Sequence, residues 1–211
     1  MQNNLVFISY YTKNTIYEEA TKTKLIPSLE KFNLPYHIYP VDDLGKWERN
    51  RCIRASILFD AMNTFKEDII WTDADSIINA YPKLLYELPL NVDLAICKLS
   101  WEEMFGRPQD KGKFEIIAGT FLLRNTTKVK WFIKEWKEKT FDNADLDSVR
   151  PQKMLEHLIY QHNYDINTYF LPREYCYIVD TPWGTPPAVP IENPIISHYQ
   201  YSRIARKKRN V

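Results

Sequence analysis

A short apolar segment that ends in two aspartates constrains this sequence most strongly. The segment reads Asp68-Ile69-Ile70-Trp71-Thr72-Asp73-Ala74-Asp75-Ser76. Its apolar run predicts a buried strand. Residues i and i+2 of an extended chain point the same way, so we expect Asp73 and Asp75 to address one point in space if the extended backbone continues. Two hard oxygen ligands at the carboxyl edge of a parallel sheet suit Mg²⁺ or Mn²⁺ with a phosphate-bearing ligand. The alternative is a solvated turn, because Asp and Ser favour turns after strands.

The composition is that of an ordinary globular protein. The chain has 211 residues, of which 45% are hydrophobic and 26% charged, which predicts one domain with a substantial core. The net charge of +1 gives no general attraction to nucleic acid or membrane. Three cysteines without ligand-like spacing suggest buried thiols in a reducing compartment. No apolar run reaches the ~18 residues of a membrane span, and no signal peptide is indicated. We therefore expect a cytoplasmic protein.

The order of strand and helix patterns predicts an α/β fold. A strand at 5–9, a helix from about 15 to 32 and a strand at 36–39 form a βαβ unit, which favours a parallel sheet. Further strands are expected near residues 68–72, 93–97, 115–124 and 166–171, and helices near 48–65, 82–88, 129–136 and 149–162. The fold class is thus a single α/β domain with a mostly parallel central sheet flanked by helices. The domain is expected to span 1–202, followed by a basic tail at 203–211.

Four segments predict less regular structure. Residues 100–113 lack periodicity and predict a long mobile loop, either a lid or acceptor-binding loop or a simple connection. Residues 145–148 resemble an N-cap for the helix that follows. The proline-rich passage 180–190 is expected to be irregular and to wrap the body. Gly119 lies inside a strong strand pattern, which indicates a bulge or the close approach of another group to the backbone.

Basic residues gather in the first turns of the helix that precedes the aspartates. Arg51 and Arg54 stand there beside Asn50. Arginine near a helix N-terminus opposes the helix dipole, a cost that a bound anion would offset. The alternative is a solvated basic face.

Taken together and in this order, five segments resemble the nucleotide-diphospho-sugar transferase families, which are glycosyltransferases of the GT-A fold, a Rossmann-like fold. The resemblance covers nearly the whole chain, and the segments that carry it are Ser9-Tyr10-Tyr11-Thr12, Gly45-Lys46-Trp47 with Asn50 and Arg54, Ile70-Trp71-Thr72-Asp73-Ala74-Asp75, Ala118-Gly119-Thr120-Phe121 with the Trp136 helix and Gln152, and Pro194-Ile195-Ile196-Ser197-His198-Tyr199.

The resemblance implies roles for individual residues. Asp75 would hold the divalent ion, Asp73 would contact ribose or metal-bound water, and His198 would be a further metal ligand. The implied catalytic residues are Asp73, Asp75 and Gln152. The residues implied to bind the nucleotide or sugar are Ser9, Tyr10, Tyr11, Trp47, Asn50, Arg54, Thr72, Asp73, Ala74, Gly119 and Thr120.

Two departures from the family pattern stand out. The helix carries Arg51-Cys52-Ile53-Arg54 where relatives often have lysine. The aspartate usually paired with the late glutamine is replaced by the sequence Arg150-Pro151-Gln152. The second departure weakens a carboxylate role at that position.

The implied activity is transfer of a hexosyl or pentosyl group from a nucleoside-diphosphate sugar, with a UDP-sugar expected. The acceptor is open: a glycan, a small molecule, a protein or a nucleic-acid base. The implied cofactor is Mn²⁺ or Mg²⁺, because a divalent ion stabilises the charge that develops on a leaving diphosphate. An inverting reaction would also need a base. Glu115, Asp147 and Glu102 are candidates, although the resemblance favours retention. The sequence indicates no oligomeric state.

Two other functions remain open from the sequence. One is a non-catalytic module that binds nucleotide sugars. The other is a D-x-D phosphatase, in which the first aspartate is the nucleophile. In that class the motif normally follows the first strand, whereas here it follows the third and continues into Ser76-Ile77. His198 also has a second interpretation, as a partly exposed residue that begins the basic tail.

Overall fold

The computed structural model describes residues 4–161 and 164–201. The predicted basic tail lies outside these residues, so the domain boundary at 202 stays a prediction. The chain forms a six-stranded sheet, a second sheet of three short strands, and helices around both. The six strands of the main sheet are β1 (Leu5–Thr12), β2 (Tyr36–Val41), β3 (Asp68–Thr72), β5 (Leu94–Ser100), β6 (Phe114–Leu123) and β7 (Thr168–Leu171). The three short strands are β4 (Ser76–Ile78), β8 (Tyr177–Ile178) and β9 (Ile196–His198).

The helices fill the connections between these strands. They are α1 (Ile16–Ala20), α2 (Ile26–Lys31), α3 (Trp47–Asn50), α4 (Ile53–Thr64), α5 (Lys83–Glu87), α6 (Trp101–Phe105), α7 (Thr127–Lys137) and α8 (Pro151–Tyr160). Two π-helical turns, Thr21–Leu25 and Glu138–Asp142, and two 3₁₀ turns, Pro108–Asp110 and Arg173–Tyr175, complete them. Among the described residues, no helix combines the length and the apolar character that crossing a membrane requires.

The main sheet is mostly parallel, as the sequence predicted. Its order is β2-β1-β3-β6-β5-β7. Strand β6 runs antiparallel to both of its neighbours, while the other pairs are parallel. The carboxyl ends of β1, β3 and β5 therefore share one edge of the sheet, and β1 and β5 lie on opposite sides of β3.

Both faces of this sheet are buried, which gives three layers. Alternate residues of a strand point to opposite faces. In β3, Ile69 and Trp71 pack towards α4, α7 and α8, whereas Ile70 packs towards α2 and α5. Such a strand is apolar on both sides, which is why its sequence lacks the alternation of a half-exposed strand.

The second sheet joins segments that are far apart in the sequence. Strand β4 follows the aspartates directly and pairs antiparallel with β9, so that Ser76 lies opposite His198. Strand β8 pairs parallel with β9 on its other side. The C-terminal segment is thereby attached beside the D-x-D turn.

Two local predictions were wrong. Residues 100–113 contain α6 and a 3₁₀ turn rather than one irregular loop. The Ser100 side chain caps α6 by accepting from the Glu103 amide, and five helical residues are too few to show a period. The last long helix begins at Pro151, close to the expected start near residue 149, but its N-cap is Arg150 and not one of residues 145–148.

Candidate active site

The two aspartates converge through a tight turn. The Ser76 amide and hydroxyl both donate to the Asp73 carbonyl, at 3.1 and 2.7 Å. The extended backbone therefore does not continue past Asp73. The convergence itself is present, since ligand atoms of Asp73, Asp75 and His198 all lie within 4.8 Å of one another.

Strand β9 carries His198 into this group. The imidazole is 1% exposed, so the alternative of a partly exposed histidine is wrong. Its Nε2 lies 2.9 Å from the Thr120 hydroxyl. Burial lowers the pKa of His198 to about 4, against the charge of Asp73, which acts to raise it. The ring is therefore neutral at pH 7, the form that coordinates metal.

Gly119 makes room for this imidazole. The pairing of β5 with β6 shifts register between Ile96 and Cys97, so residues around Gly119 form a bulge. A Cβ atom on Gly119 would lie only 2.9 Å from Cε1 of His198. Both features expected of this glycine, a bulge and a close approach, are confirmed.

The carboxylate of Asp75 is enclosed by the chain that follows His198. The Tyr201 amide donates to Asp75 Oδ2 at 2.8 Å, and the Tyr199 amide donates to the Asp75 carbonyl at 3.1 Å. Burial, and secondly the charge of Asp73, raise the pKa of Asp75 to about 7. Both causes disfavour the ionised carboxylate, burial by removing the water that would solvate it and Asp73 by repulsion between like charges.

Asp73 is held by two donors from neighbouring elements. Arg54 Nη2 and Trp71 Nε1 donate to its Oδ1, at 2.9 and 3.0 Å. The other guanidinium nitrogen, Nη1, donates to the Ala118 carbonyl at 2.6 Å. Arg54 thereby ties α4 to both β3 and β6, and its charge faces the site.

These donors fit a divalent metal ion. Two carboxylates and a neutral imidazole in mutual reach are ligands that Mn²⁺ accepts, and Mg²⁺ accepts the oxygens among them. A cation beside Asp75 would favour its ionised form, which burial and the charge of Asp73 disfavour.

The group opens into a cavity of about 940 Å³. Most of the predicted site residues line it, namely Tyr10, Tyr11, Trp47, Asn50, Arg54, Asp73, Ala74, Asp75, Gly119, Gln152 and His198. Ser9, Thr72 and Thr120 are buried in their strands and are not among the lining residues of the described chain. The hydroxyls of Thr72 and Thr120 lie 3.4 Å apart, and each also meets a neighbour, Ser76 or His198. These threonines support the site from behind rather than face the cavity.

Two lining residues have most of their polar atoms occupied by the protein. Asn50 accepts from the Leu44 amide and donates to Asp43, each at 2.8 Å. The Tyr10 hydroxyl donates to the Asn50 carbonyl at 2.8 Å, and its ring lies against Trp71. Asn50 and Tyr10 hold the loop before α3 in place. They contribute to a ligand site mainly by shaping the cavity wall.

Gln152 is fixed in orientation. Its Oε1 accepts from the Ala118 amide at 3.2 Å, and its Nε2 donates to Glu115 Oε1 at 3.0 Å. Lys153 also lies 3.2 Å from that oxygen. Because the first turn of α8 packs against β6, this glutamine lies next to Ala118 and Gly119 in the cavity wall.

Several lining residues had no signal in the sequence. Towards β1 these are Thr15, Ile16, Tyr17, Glu19 and Gln200, and towards β5 they are Leu99, Met104, Ile117, Ile178 and Pro182. The first four belong to the helix after β1 and its N-cap, whose apolar pattern predicts packing only, and Gln200 follows β9. The second set consists of ordinary core residue types. The cavity thus extends to both sides of the D-x-D turn.

A model of the galactosyl transferase GMA12/MNN10 family matches residues 64–176, which is more than half of the chain. The chain belongs to this family. It is a glycosyltransferase of the GT-A type, as the resemblance implied. The matched region includes β3, the D-x-D turn, β6 and Gln152. Family membership supports sugar transfer over the phosphatase and over a module without catalytic activity.

Two solved structures share the fold of this family member. One is a glycosyltransferase involved in the glycosylation of the major capsid of PBCV-1, with a TM-score of 0.66, 16% identity and 98% of each chain covered. The other is the apo-form glycosyltransferase GlyE of Streptococcus pneumoniae TIGR4, with a TM-score of 0.52 and 14% identity, covering 94% of this chain and 55% of that one. None of the curated proteins matches the sequence significantly.

Proposed function

We propose that this glycosyltransferase takes a hexosyl or pentosyl group from a nucleoside-diphosphate sugar and requires a divalent ion held by Asp73, Asp75 and His198. The observation that carries the proposal is the convergence of these side chains within 4.8 Å at the carboxyl edge of β3, facing a cavity. The mixed oxygen and nitrogen donors favour Mn²⁺ over Mg²⁺. A bound ion would act as a Lewis acid towards the leaving diphosphate.

We place the nucleoside on the β1 side of the metal group. Tyr10, Tyr11 and Trp47 line the cavity there and offer aromatic surface to a base or ribose. Arg54 adds a positive charge beside Asp73, where a diphosphate would lie. The choice of UDP among nucleotides rests on the family resemblance.

The transferred sugar would lie beside Gly119 and Gln152. The C1–O bond to the diphosphate breaks, a C1–O bond to an acceptor hydroxyl forms, and the hydroxyl proton leaves with the diphosphate oxygen. Gln152, whose amide is held by Ala118 and Glu115, lines the cavity there and would orient the ring without taking a proton.

We favour retention of configuration because of where the three candidate bases lie. Glu115 lines the cavity, but Gln152 and Lys153 both hold its carboxylate. Asp147 is paired with Arg49 and Lys46, whose hydrogen bonds hold the pKa of its carboxyl well below the ordinary range. Neither Asp147 nor Glu102 is among the described residues that line the cavity. A general base must accept a proton from the acceptor hydroxyl, and a carboxylate that is already held by cationic and amide donors is poorly suited to do so.

A cytoplasmic location is part of the proposal. Cys52, Cys97 and Cys176 are free and buried. Free thiols are typical of proteins that work in a reducing compartment.

The test compares the parent protein with Asp75→Asn and with Asp60→Asn, an exposed control on α4. Titration calorimetry measures Mn²⁺ affinity, and thermal shift measures the binding of UDP-sugars with and without Mn²⁺. Parent and control should bind donor only with Mn²⁺ and hydrolyse it slowly without acceptor. Asp75→Asn should lose at least 10-fold in Mn²⁺ affinity. Unchanged metal affinity in Asp75→Asn, or release of phosphate from simple phosphomonoesters by the parent, would contradict the proposal.

A further inference from the structure

Three aromatic side chains form a group at the β5 end of the cavity. Trp101 and Phe105 meet edge to face at 5.8 Å between ring centroids, and Phe105 meets Trp183 in the same manner at 5.4 Å. Trp183 is 65% exposed, although its neighbour Pro182 lines the cavity. The group therefore continues the cavity wall outward to the surface.

The backbone around Trp183 is held in place from two sides. Within the turn, the Thr181 amide donates to the Thr185 carbonyl at 2.6 Å, and the Gly184 amide donates to the Thr181 carbonyl at 2.9 Å. Further along, the Ala188 amide donates to the Met104 carbonyl of α6 at 3.1 Å. Trp183 thus stands at the tip of a closed turn that is attached to the helix carrying Phe105.

Arg107 supports the same rings. Its guanidinium lies 5.1 Å from the centroid of Phe105 and 5.6 Å from that of Trp183. Its Nε donates at 2.6 Å to Asp110, whose side chain is only 2% exposed. Lys113 also pairs with Asp110, at 3.2 Å. A tryptophan that stays largely in water while its neighbours fix its position resembles a binding surface more than a core residue.

We propose that Trp183, supported by Phe105 and Arg107, is the acceptor subsite and that the acceptor is a saccharide. The inference rests on the proposed function, because it needs the nucleoside on the β1 side and the transferred sugar at Gly119. The acceptor must then enter from the β5 side, past Pro182 and Met104. The apolar C–H face of a pyranose ring packs on an aromatic face, and its hydroxyls stay near polar groups such as Arg107.

Continuity with the cavity favours a sugar over a protein partner. The exposed ring is reached from the metal group along one wall, through Met104 and Pro182. A sugar stacked on Trp183 as part of a short oligosaccharide can extend its end along this wall. A protein acceptor would have to bring a side-chain hydroxyl past Met104 and Pro182, and it would bring no pyranose ring to Trp183.

Saccharide binding is tested without reference to activity. Linear tetrasaccharides of glucose, galactose, mannose and xylose, in α- and β-linked forms, are the probes, and saturation-transfer NMR with the full chain is the measurement. The variants are Trp183→Ala, Trp183→Phe and Trp131→Ala, the last removing a tryptophan that is 54% exposed on α7. At least one tetrasaccharide should bind the parent and Trp131→Ala. Its affinity should fall at least 5-fold in Trp183→Ala and less than 2-fold in Trp183→Phe.

The kinetic arm separates this inference from the proposed function. Mn²⁺-dependent donor hydrolysis without acceptor should be equal in parent and Trp183→Ala, while transfer to the tetrasaccharide should show a KM raised at least 5-fold. If the parent shows no metal-dependent donor binding but still binds saccharide through Trp183, the proposed function fails and the saccharide site stands. Saccharide binding or transfer that is unchanged in Trp183→Ala would overturn the subsite. So would a parent that binds none of the tetrasaccharides, or one that transfers sugar only to proteins.

Discussion

Gly119→Ala is the single substitution that most directly tests how closely His198 packs against Gly119. The added methyl group would lie 2.9 Å from His198 Cε1, 3.1 Å from His198 Nδ1 and 3.0 Å from Cys176 Sγ. Normal contacts between such atoms begin near about 3.5 Å. Gly119 is not among the residues with positive φ, so the backbone conformation itself accepts alanine. The whole effect must therefore come from these contacts.

The magnitude follows from how little the neighbours can move. His198 and Cys176 are both buried, and His198 is held in β9 between β4 and β8. Adding one methyl group to a packed core costs about 1–3 kcal/mol. For a chain of this length each kcal/mol lowers Tm by about 2–4 °C, so we expect a fall of about 2–12 °C. Because metal ligands tolerate displacements of only about 0.2 Å, the Mn²⁺ affinity should fall at least 10-fold as well.

The assay is a double-mutant cycle measured in EDTA by thermal and urea unfolding. Gly119→Ala is made in the parent and in His198→Ala, where the imidazole is absent. If the clash with the imidazole causes the loss, the substitution should cost less than half as much in the second background. Calorimetry with Mn²⁺ on the single variant measures the effect on the site. Parent-like stability and Mn²⁺ affinity in Gly119→Ala would refute this account of the glycine, and an equal cost in both backgrounds would refute the role of His198.

Three further predictions concern the charges and the metal ligand. In EDTA at pH 8, Asp75→Asn should be more stable than the parent by about 1–3 kcal/mol. The folded pKa of Asp75, about 7, lies above its ordinary value of 3.8, so the parent loses stability as pH rises between these values, and urea unfolding should show the gap closing near pH 4. Arg124→Met should lower the free energy of unfolding by about 3 kcal/mol, measured in urea. The buried guanidinium pairs with Asp68 and donates to three backbone carbonyls, and the substitution removes all of these interactions. His198→Ala should weaken Mn²⁺ binding at least 10-fold in calorimetry at pH 7, and full affinity would exclude His198 as a ligand.

The fold was predictable where local pattern and burial agree. Strand β3 and helix α7 follow directly from their apolar patterns, and the mostly parallel sheet follows from the order of strands and helices. The antiparallel direction of β6 has no signal in its own residues, because the direction of a strand is decided by the strands and helices that it packs against. Helix α6 was missed since five residues carry no period and its cap, Ser100, is a common residue type.

The site was predictable in its residue types but not in its geometry. Asp73 and Asp75 would point the same way in an extended strand, but a turn closed by Ser76 brings them together. A two-residue spacing fits both conformations, so the sequence cannot separate them. Thr72 and Thr120 were expected at the ligand, but their strands direct both hydroxyls into the interior, towards each other. The face of the sheet to which a side chain points depends on how the strand pairs with its neighbours, and a single sequence does not show that pairing.

The charges of the site give a reason for the proposed dependence on a divalent ion. Asp73 and Asp75 bring two negative charges, Arg54 brings one positive charge, and His198 is neutral, so the group has a net charge of −1 when both carboxylates are ionised. A diphosphate that approaches this group meets repulsion in a buried setting, where charges are poorly screened. A divalent cation reverses the sign to +1 and turns repulsion into attraction. Donor binding should therefore follow metal binding in order, at a site to which the pairing of β9 with β4 adds His198.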